Sequence, residues 1–502
     1  MTRALIALAL LLAWGSSAHA GKADDTLNVA FGNEVETLDN YKATGREALM
    51  VTRLLYDSLL HKNAATGAFE PELASSYKVV DDKTLDFTLR EDVTFHDGSK
   101  MTADDVVYTL NLVSSPQYNA RYQIAVNWIE SVEKTGDYAV RIHLKTVFPM
   151  ALEMLAGNLP IYPKAYYEKV GSAGMAINPV GAGPYRLVEM TPGTRFVLQR
   201  FDGYYPESPR GRPPIRNVVI RVLPEANTQY AELINGQLDW IWRVPPDAAR
   251  NLARQPGIKI EVAEIMRFAY LAMNPHYMED ASPIAKVDVR RAINHAIDRP
   301  AIVKALVGGA SKVIDGPCNP IQFGCAPAGI TYPFDPAKAK QLLAAAGYPN
   351  GIDVELLASA MPHEQTEAIA AFLTKAGIRT TVNEQQPASA LSAWRAGHAA
   401  MYLTNWGSYG IGDVGLSVGQ FFTGTGDDVV KDPSVIKTLQ EDGASSDRTV
   451  RAAAYAKAIH EIVDQAYWVP LWTYSVNCAQ AKGLDFKLGA DEFAPFYEAH
   501  WE

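Results

Sequence analysis

The chain has 502 residues, of which 48% are hydrophobic and 20% charged, and a formal net charge of −10. That length is more than one hydrophobic core serves, so two or three lobes are expected, and the ordinary composition excludes disordered and low-complexity classes. The acidic balance argues against a nucleic-acid partner, whose phosphates need neutralising basic residues.

Arg3 is followed by an apolar stretch over residues 4–14, too short to span a bilayer as a helix. Ala18-His19-Ala20 then fits the small-residue site of a cleaved secretory signal. Residues 1–20 are therefore expected to be a signal peptide. Without them, 45 Lys plus Arg face 56 Asp plus Glu, a formal net charge of −11. The three cysteines, Cys318, Cys325 and Cys478, all lie far from the apolar core of that signal, so a soluble periplasmic protein without a lipid anchor is expected. No later segment approaches eighteen uninterrupted apolar residues.

In chain order, residues 26–30 read as a short apolar strand and residues 40–46 as a loop. A helix is predicted over 47–60, where Met50, Leu54, Leu55 and Leu59 recur at helical spacing. Leu85, Phe87 and Leu89 alternate with polar neighbours, the pattern of a strand with one buried face. Asp97-Gly98 offers a turn, and Thr102 with Asp105 forms a capping box ahead of Val106, Val107 and Leu110. The glycines and prolines of residues 178–185 indicate a tight return of the chain. Strands are predicted at 196–199 and 218–222 and a helix at 227–234. A further helix is predicted at 288–299, with Val289, Ala292, Ile293 and Ala296 on one face, and another opens at Asp335-Pro336 and ends by Gly347. Strands and helices alternating over the whole length predict an α/β protein.

Cys318 and Cys325 lie seven residues apart in a segment rich in Gly and Pro, where an oxidising compartment favours a local disulfide; with no histidine nearby, zinc is disfavoured. Cys478 reads as a small buried side chain. His96 and Asp97 read as turn residues and His295 as a structural histidine. No Gly-x-Ser-x-Gly, His-Glu-x-x-His or Gly-Lys-Ser/Thr pattern occurs, so catalytic residues, metal and cofactor are all expected to be absent.

The run from Pro71-Glu72-Leu73-Ala74-Ser75-Ser76-Tyr77, through Leu85-Asp86-Phe87-Thr88-Leu89-Arg90, to Phe95-His96-Asp97-Gly98 and Thr102-Ala103-Asp104-Asp105-Val106 resembles the signature region of family 5 extracytoplasmic solute-binding proteins. These are the receptors of oligopeptide, dipeptide, glutathione, opine and nickel ABC importers. Residues 32–39, 178–185, 268–274 and 288–299 are also family-like, so the resemblance covers nearly the whole mature chain. It implies a two-lobed periplasmic binding protein fold (type II, the large cluster C type) with a two-segment hinge. Lobe I would comprise residues 21–65, 179–266 and 478–502, with an extra subdomain of residues 66–178 inserted, and lobe II residues 267–477. Closure of the lobes on a solute would tell a permease and ATPase complex of the inner membrane that the receptor is loaded. A monomer is expected.

The resemblance also implies ligand residues. In peptide-binding relatives a tryptophan matching Trp406 lines the cleft, and an aspartate three residues later pairs with the ligand's amino terminus. Here that later residue is Tyr409, and a phenol is a weaker partner for an ammonium than a carboxylate. Asp413 could swing in through Gly410 and Gly412 or only stabilise the loop; Trp406 and Tyr409 could hold a cation by their ring faces. Asn405 and Gly407 belong to the same segment. On the opposing loop, Thr44 and Gly45 could offer hydroxyl and backbone bonds, and Arg46 a two-pronged contact to a carboxylate. Trp472 and Tyr474 fall where relatives place cleft aromatics, and Arg267 is a second carboxylate candidate. A peptide or peptide-like solute is the first expectation, followed by an opine, a glutathione-like compound or an oligosaccharide; nickel is disfavoured because the suspected cleft loops lack histidine. A secreted peptide hydrolase and a chemosensory or chaperone receptor are the alternatives of another class.

Overall fold

The computed structural model describes residues 21–64, 66–278 and 281–502. The expected signal peptide lies outside the described residues. Ten strands form one mixed sheet in the order Ile378–Glu384, Ile352–Ala358, Met401–Gly407, Ile258–Met273, Trp468–Ala481, Trp240–Ile241, Thr26–Phe31, Asn217–Val222, Arg195–Arg200 and Tyr185–Thr191. Thr26–Phe31 is buried at every position and pairs in parallel with both neighbours, which is why Val29, Ala30 and Phe31 are apolar on both faces, while the buried Asn28 side chain donates to Asp239 Oδ2 at 2.9 Å.

The two longest strands, Ile258–Met273 and Trp468–Ala481, join the halves of the sheet. Their antiparallel pairing slips between Glu264 and Phe268 and again between Ala269 and Tyr270. Such slips bend a strand and re-aim its side chains. At the first slip the backbone bonds elsewhere: Met266 N donates to Ala490 O at 2.8 Å, and Ser408 N donates to Met266 O at 3.1 Å. Packing follows the same division. One core is built only from residues between Ala269 and Trp472, whereas the largest joins the first half of the sheet to residues that face it from the second.

A separate antiparallel sheet holds Ala74–Asp81, Thr84–Leu89, Ala139–Leu144 and Ile129–Gly136. Leu85, Phe87 and Leu89 are buried on its inner face, against which helix Ala103–Ser114 packs. That helix carries the expected capping box, with Thr102 N donating to Asp105 Oδ2 at 2.8 Å.

Two predicted helices are shorter than their periodicity suggests. The first is Arg46–Leu55, because Tyr56 is extended and the buried Asp57 carboxylate draws the chain towards the hydroxyls of Tyr204 and Tyr205, at 2.9 and 2.7 Å. The second, Val287–Ala296, stops before Ile297; Asp298 then caps a new helix, Arg299–Ile302, by accepting from Ala301 N at 3.0 Å, and Pro300 sits in the first turn of the new helix. Cys318 and Cys325 are bonded, and Cys478 is buried. The disulfide loop buttresses residues 411–413: Gln322 Nε2 donates to Ile411 O at 3.0 Å and Phe323 N to Gly412 O at 2.7 Å.

Candidate functional site

Helix Arg46–Leu55 sends two arginines to one side, because residues seven apart return to the same face after two turns. The guanidinium carbons of Arg46 and Arg53 lie 4.5 and 3.4 Å from the ring centre of Phe493. Arg53 Nη1 donates to Asp491 Oδ2 at 2.7 Å, whereas Arg46 Nη1 is buried with no hydrogen-bond partner among the described residues. Burial lowers the Arg46 pKa; Arg267 and Arg53 add to this, and Glu492 and Asp491 oppose it.

The loop before this helix is rigidly held. The buried Asp39 carboxylate accepts from Tyr41 N at 3.2 Å and from the Tyr162 hydroxyl at 2.9 Å, and Tyr41 Oη donates to Pro160 O at 2.6 Å. Glu36 Oε1 accepts from Thr44 N and Gly45 N, each at 2.6 Å. The expected backbone donors at Thr44 and Gly45 are thus already engaged by an internal carboxylate at the helix start, where the macrodipole favours it.

From the other half of the sheet, strand Met401–Gly407 runs into a loop that crosses to the first half. Gly412 N donates to Glu153 Oε1 at 2.7 Å, and Glu153 also pairs with Lys62. Tyr409, in the left-handed region at φ 53°, lays its ring on Tyr122, with centres 4.4 Å apart. These side chains enclose a cavity of about 140 Å³, lined by Arg46, Arg53, Tyr122, Asn158, Tyr409 and Phe493 among others. The Tyr122 hydroxyl is buried, with no hydrogen-bond partner among the described residues, and burial raises its pKa. A larger chamber of about 650 Å³ shares Arg53, Gly157, Asn158 and Phe493 with the smaller one and continues past Lys62, Glu153 and Arg448.

Of the expected site residues, Thr44, Arg46 and Tyr409 meet at the smaller cavity. Trp406 does not; it is 7% exposed and packs on Phe268 and Phe421 at 5.9 and 6.4 Å between ring centres. Trp472 is fully buried in the second core. Asp413 borders the larger chamber but is buried, with Oδ2 3.2 Å from Arg451 Nη2 and Oδ1 accepting from Gly415 N at 2.8 Å. A swing towards ligand would strand Arg451 in the interior. Arg267 is likewise committed, donating from Nε to Glu492 Oε1 at 2.9 Å and from Nη1 to Asn405 Oδ1 at 2.7 Å. Its guanidinium lies against Gly407, where a Cβ would stand 2.7 Å from Nη2 and make the guanidinium shift. Asn405 also donates to Ala360 O. The Tyr474 hydroxyl donates to Gln365 Oε1 at 3.2 Å, and burial pushes its pKa up to about 12.

Arg53, Tyr122 and Phe493 were not among the expected site residues. The spacing of Arg53 from Arg46 is a usable signal, and Phe493 lies in a tail that also carries Phe486 and Phe496; nothing local marks Tyr122. Among the described residues, no group of three or more His, Cys, Asp or Glu side chains could hold a metal ion, and no helix is long and apolar enough to cross a membrane.

The sequence pattern of the bacterial extracellular solute-binding proteins, family 5 Middle, matches residues 68–428. The chain belongs to this family. The glutathione-binding protein GsiB of Salmonella paratyphi A is 29% identical to it, over 95% of this chain and 94% of the relative. Heme-binding protein A of Haemophilus influenzae is 28% identical, over 85% of this chain and 82% of the relative. The binding protein AgaA of A. tumefaciens R10, solved in complex with agropinic acid, aligns at 27% identity with a TM-score of 0.77, over 95% of this chain and 99% of its own. As a family 5 solute-binding protein, the chain shares the two-lobed α/β architecture of periplasmic binding proteins, and its work is solute capture outside the cytoplasm.

Proposed function

We propose that this protein is the receptor of an ABC importer. It encloses a peptide or peptide-like solute between two lobes and presents it to a permease and ATPase complex of the inner membrane. Lobe I comprises residues 21–65, 179–266 and 478–502 with the insert 66–178, lobe II comprises residues 267–477, and the hinge lies where the two long strands slip in register. The protein acts as a periplasmic monomer, released by cleavage of residues 1–20 and carrying no lipid anchor. It binds rather than converts its solute, as its relatives are named for binding.

One observation carries this reading. Tyr409 from one half of the sheet meets Arg46, Tyr122 and Phe493 from the other around an enclosed cavity. A solute held there is buried by both lobes at once, which couples occupancy to closure. The relative named for glutathione, a peptide-like compound, supports the solute class. A second reading, an opine-type acid, is favoured by Tyr409 standing where peptide clamps have a carboxylate and by the complex of AgaA with agropinic acid.

The test is a thermal-shift series on solute-free mature protein with di- to tetrapeptides, glutathione and opines. A saturable rise in Tm with members of either group is expected. No rise with any of them contradicts the reading.

A further inference from the structure

Apart from the bonds made by the two long strands, two hydrogen bonds cross between the halves of the molecule among the described residues. In the first, Gly412 N donates to Glu153 Oε1 at 2.7 Å; in the second, Ser446 Oγ donates to Asp82 Oδ1 at 2.6 Å. A motion that turned the halves about the long strands would have to break both. Both acceptors are carboxylates of the first half. Glu153 lies in helix Ala151–Leu155, whose Met154 and Leu155 are fully buried, and pairs with Lys62 at the end of strand Leu60–Lys62. Lys62 thus offsets the cost of bringing the largely buried Glu153 charge out of water. Asp82 sits at the turn between strands Ala74–Asp81 and Thr84–Leu89.

On the second half, Arg451 ties the two donors together. Its Nη2 pairs with Asp413 Oδ2 at 3.2 Å, one residue from Gly412, and its Nη1 donates to Ser445 O at 2.7 Å and to Ser446 O at 3.3 Å. The disulfide loop holds Gly412 from the other side, through Phe323 N donating to Gly412 O. A Cβ on residue 412 would stand 2.7 Å from Lys62 Nζ and 3.3 Å from Glu153 Oε1, so glycine lets this backbone close on the ion pair without displacing the ammonium.

We propose that Glu153 is a positioning residue for solute capture. With Lys62 it forms a clasp that holds the crossing loop, and with it the Tyr409 ring, against the first half, and the Asp82–Ser446 bond is the outer part of the same clasp. Both contacts are made between protein groups, so the clasp favours closure whatever solute lies inside. Its strength sets the fraction of receptor that is closed, and the affinity for every solute is scaled by that fraction, chiefly through the rate of release. The inference rests on the receptor reading and adds what fixes its closing equilibrium: a carboxylate shared across the cleft, apart from the groups that recognise the solute.

The experiment is pulsed electron–electron resonance on solute-free mature protein that carries one spin label at an exposed position of each half. Wild type is expected to show a short and a long distance between the labels. Glu153→Ala should lower the ratio of short to long roughly tenfold, because a charge-assisted bond is lost from a largely buried site. Glu153→Gln, which keeps an acceptor for Gly412 N, should fall in between. Ser446→Ala, at an exposed position where the fold is not at risk, should lower the ratio about two- to threefold. Only the long distance in wild type, or an unchanged ratio in Glu153→Ala, overturns the clasp; a Glu153 that merely braced its own helix would lower Tm and leave the ratio alone. Should Glu153→Ala fail to fold, Ser446→Ala decides by the same reading. No solute enters this measurement, so a failed thermal-shift series would sink the receptor reading without altering its result.

Discussion

Asp413 and Trp406 show how much of a residue's surroundings comes from outside its sequence neighbourhood. Asp413 lies among glycines in a loop that borders a chamber, yet its partner Arg451 comes from 38 residues further along the chain. Nothing local announces that pairing. Asp413→Asn is expected to lower stability by about 3 kcal/mol, because an uncompensated guanidinium would be left buried. Denaturant unfolding measures this, and an unchanged midpoint would return Asp413 to the list of ligand contacts. Trp406 could be read from sequence as a cleft aromatic or as core; Phe268 and Phe421, which cover it, come from a paired strand and a later helix. Tyr409 was read as the departure from a peptide clamp, and the structure places it on a cavity wall.

At the scale of elements, the turn at residues 178–185 and the signature turn at 95–98 are locked together by His96. Its Nε2 donates to Gly183 O at 3.0 Å while Nδ1 accepts from Gly181 N at 3.3 Å, which fixes one neutral tautomer. Protonating Nδ1 would set two N–H groups against each other, and burial already lowers the pKa to about 4. The folded value lies below the unfolded one, near 6.5, so this group's contribution is complete above about pH 6.5 and is lost as pH falls towards 4. Histidine NMR should show two rings titrating near pH 4, since burial lowers His61 to about 4 as well, and His96→Gln should remove one of them; a His96 midpoint near 6.5 would refute the locked tautomer. Gly183 is required because a Cβ there would come within 2.4 Å of the Leu55 carbonyl carbon, so the turn also abuts the end of the arginine-bearing helix. The glycines were readable as a turn from sequence, but not what they abut.

The Cys318–Cys325 bridge works at the same scale by bracing residues 411–413. Cys318→Ser with Cys325→Ser should cost about 2 kcal/mol and weaken solute binding, since closing even a short loop restrains the unfolded chain and here also holds the ligand loop. Unchanged affinity in a folded double variant would separate the disulfide from the site. The spacing of these cysteines made the pair legible, but the loop they brace lies almost ninety residues away in sequence.

At the scale of the whole molecule, alternating strands and helices were enough to read an α/β protein, and family-like segments carried the expectation of two lobes. What no local pattern contained is the meeting of Arg46, Tyr122, Tyr409 and Phe493, drawn from the first helix, the region of the small sheet, the crossing loop and the C-terminal tail. That assembly depends on the two long strands holding both halves of the sheet in register, a long-range property.

The most direct measurement is native mass spectrometry of the protein taken from the periplasm, followed by release and identification of the retained solute. A small peptide-like or opine-type molecule is expected. A retained solute of neither class would contradict the account.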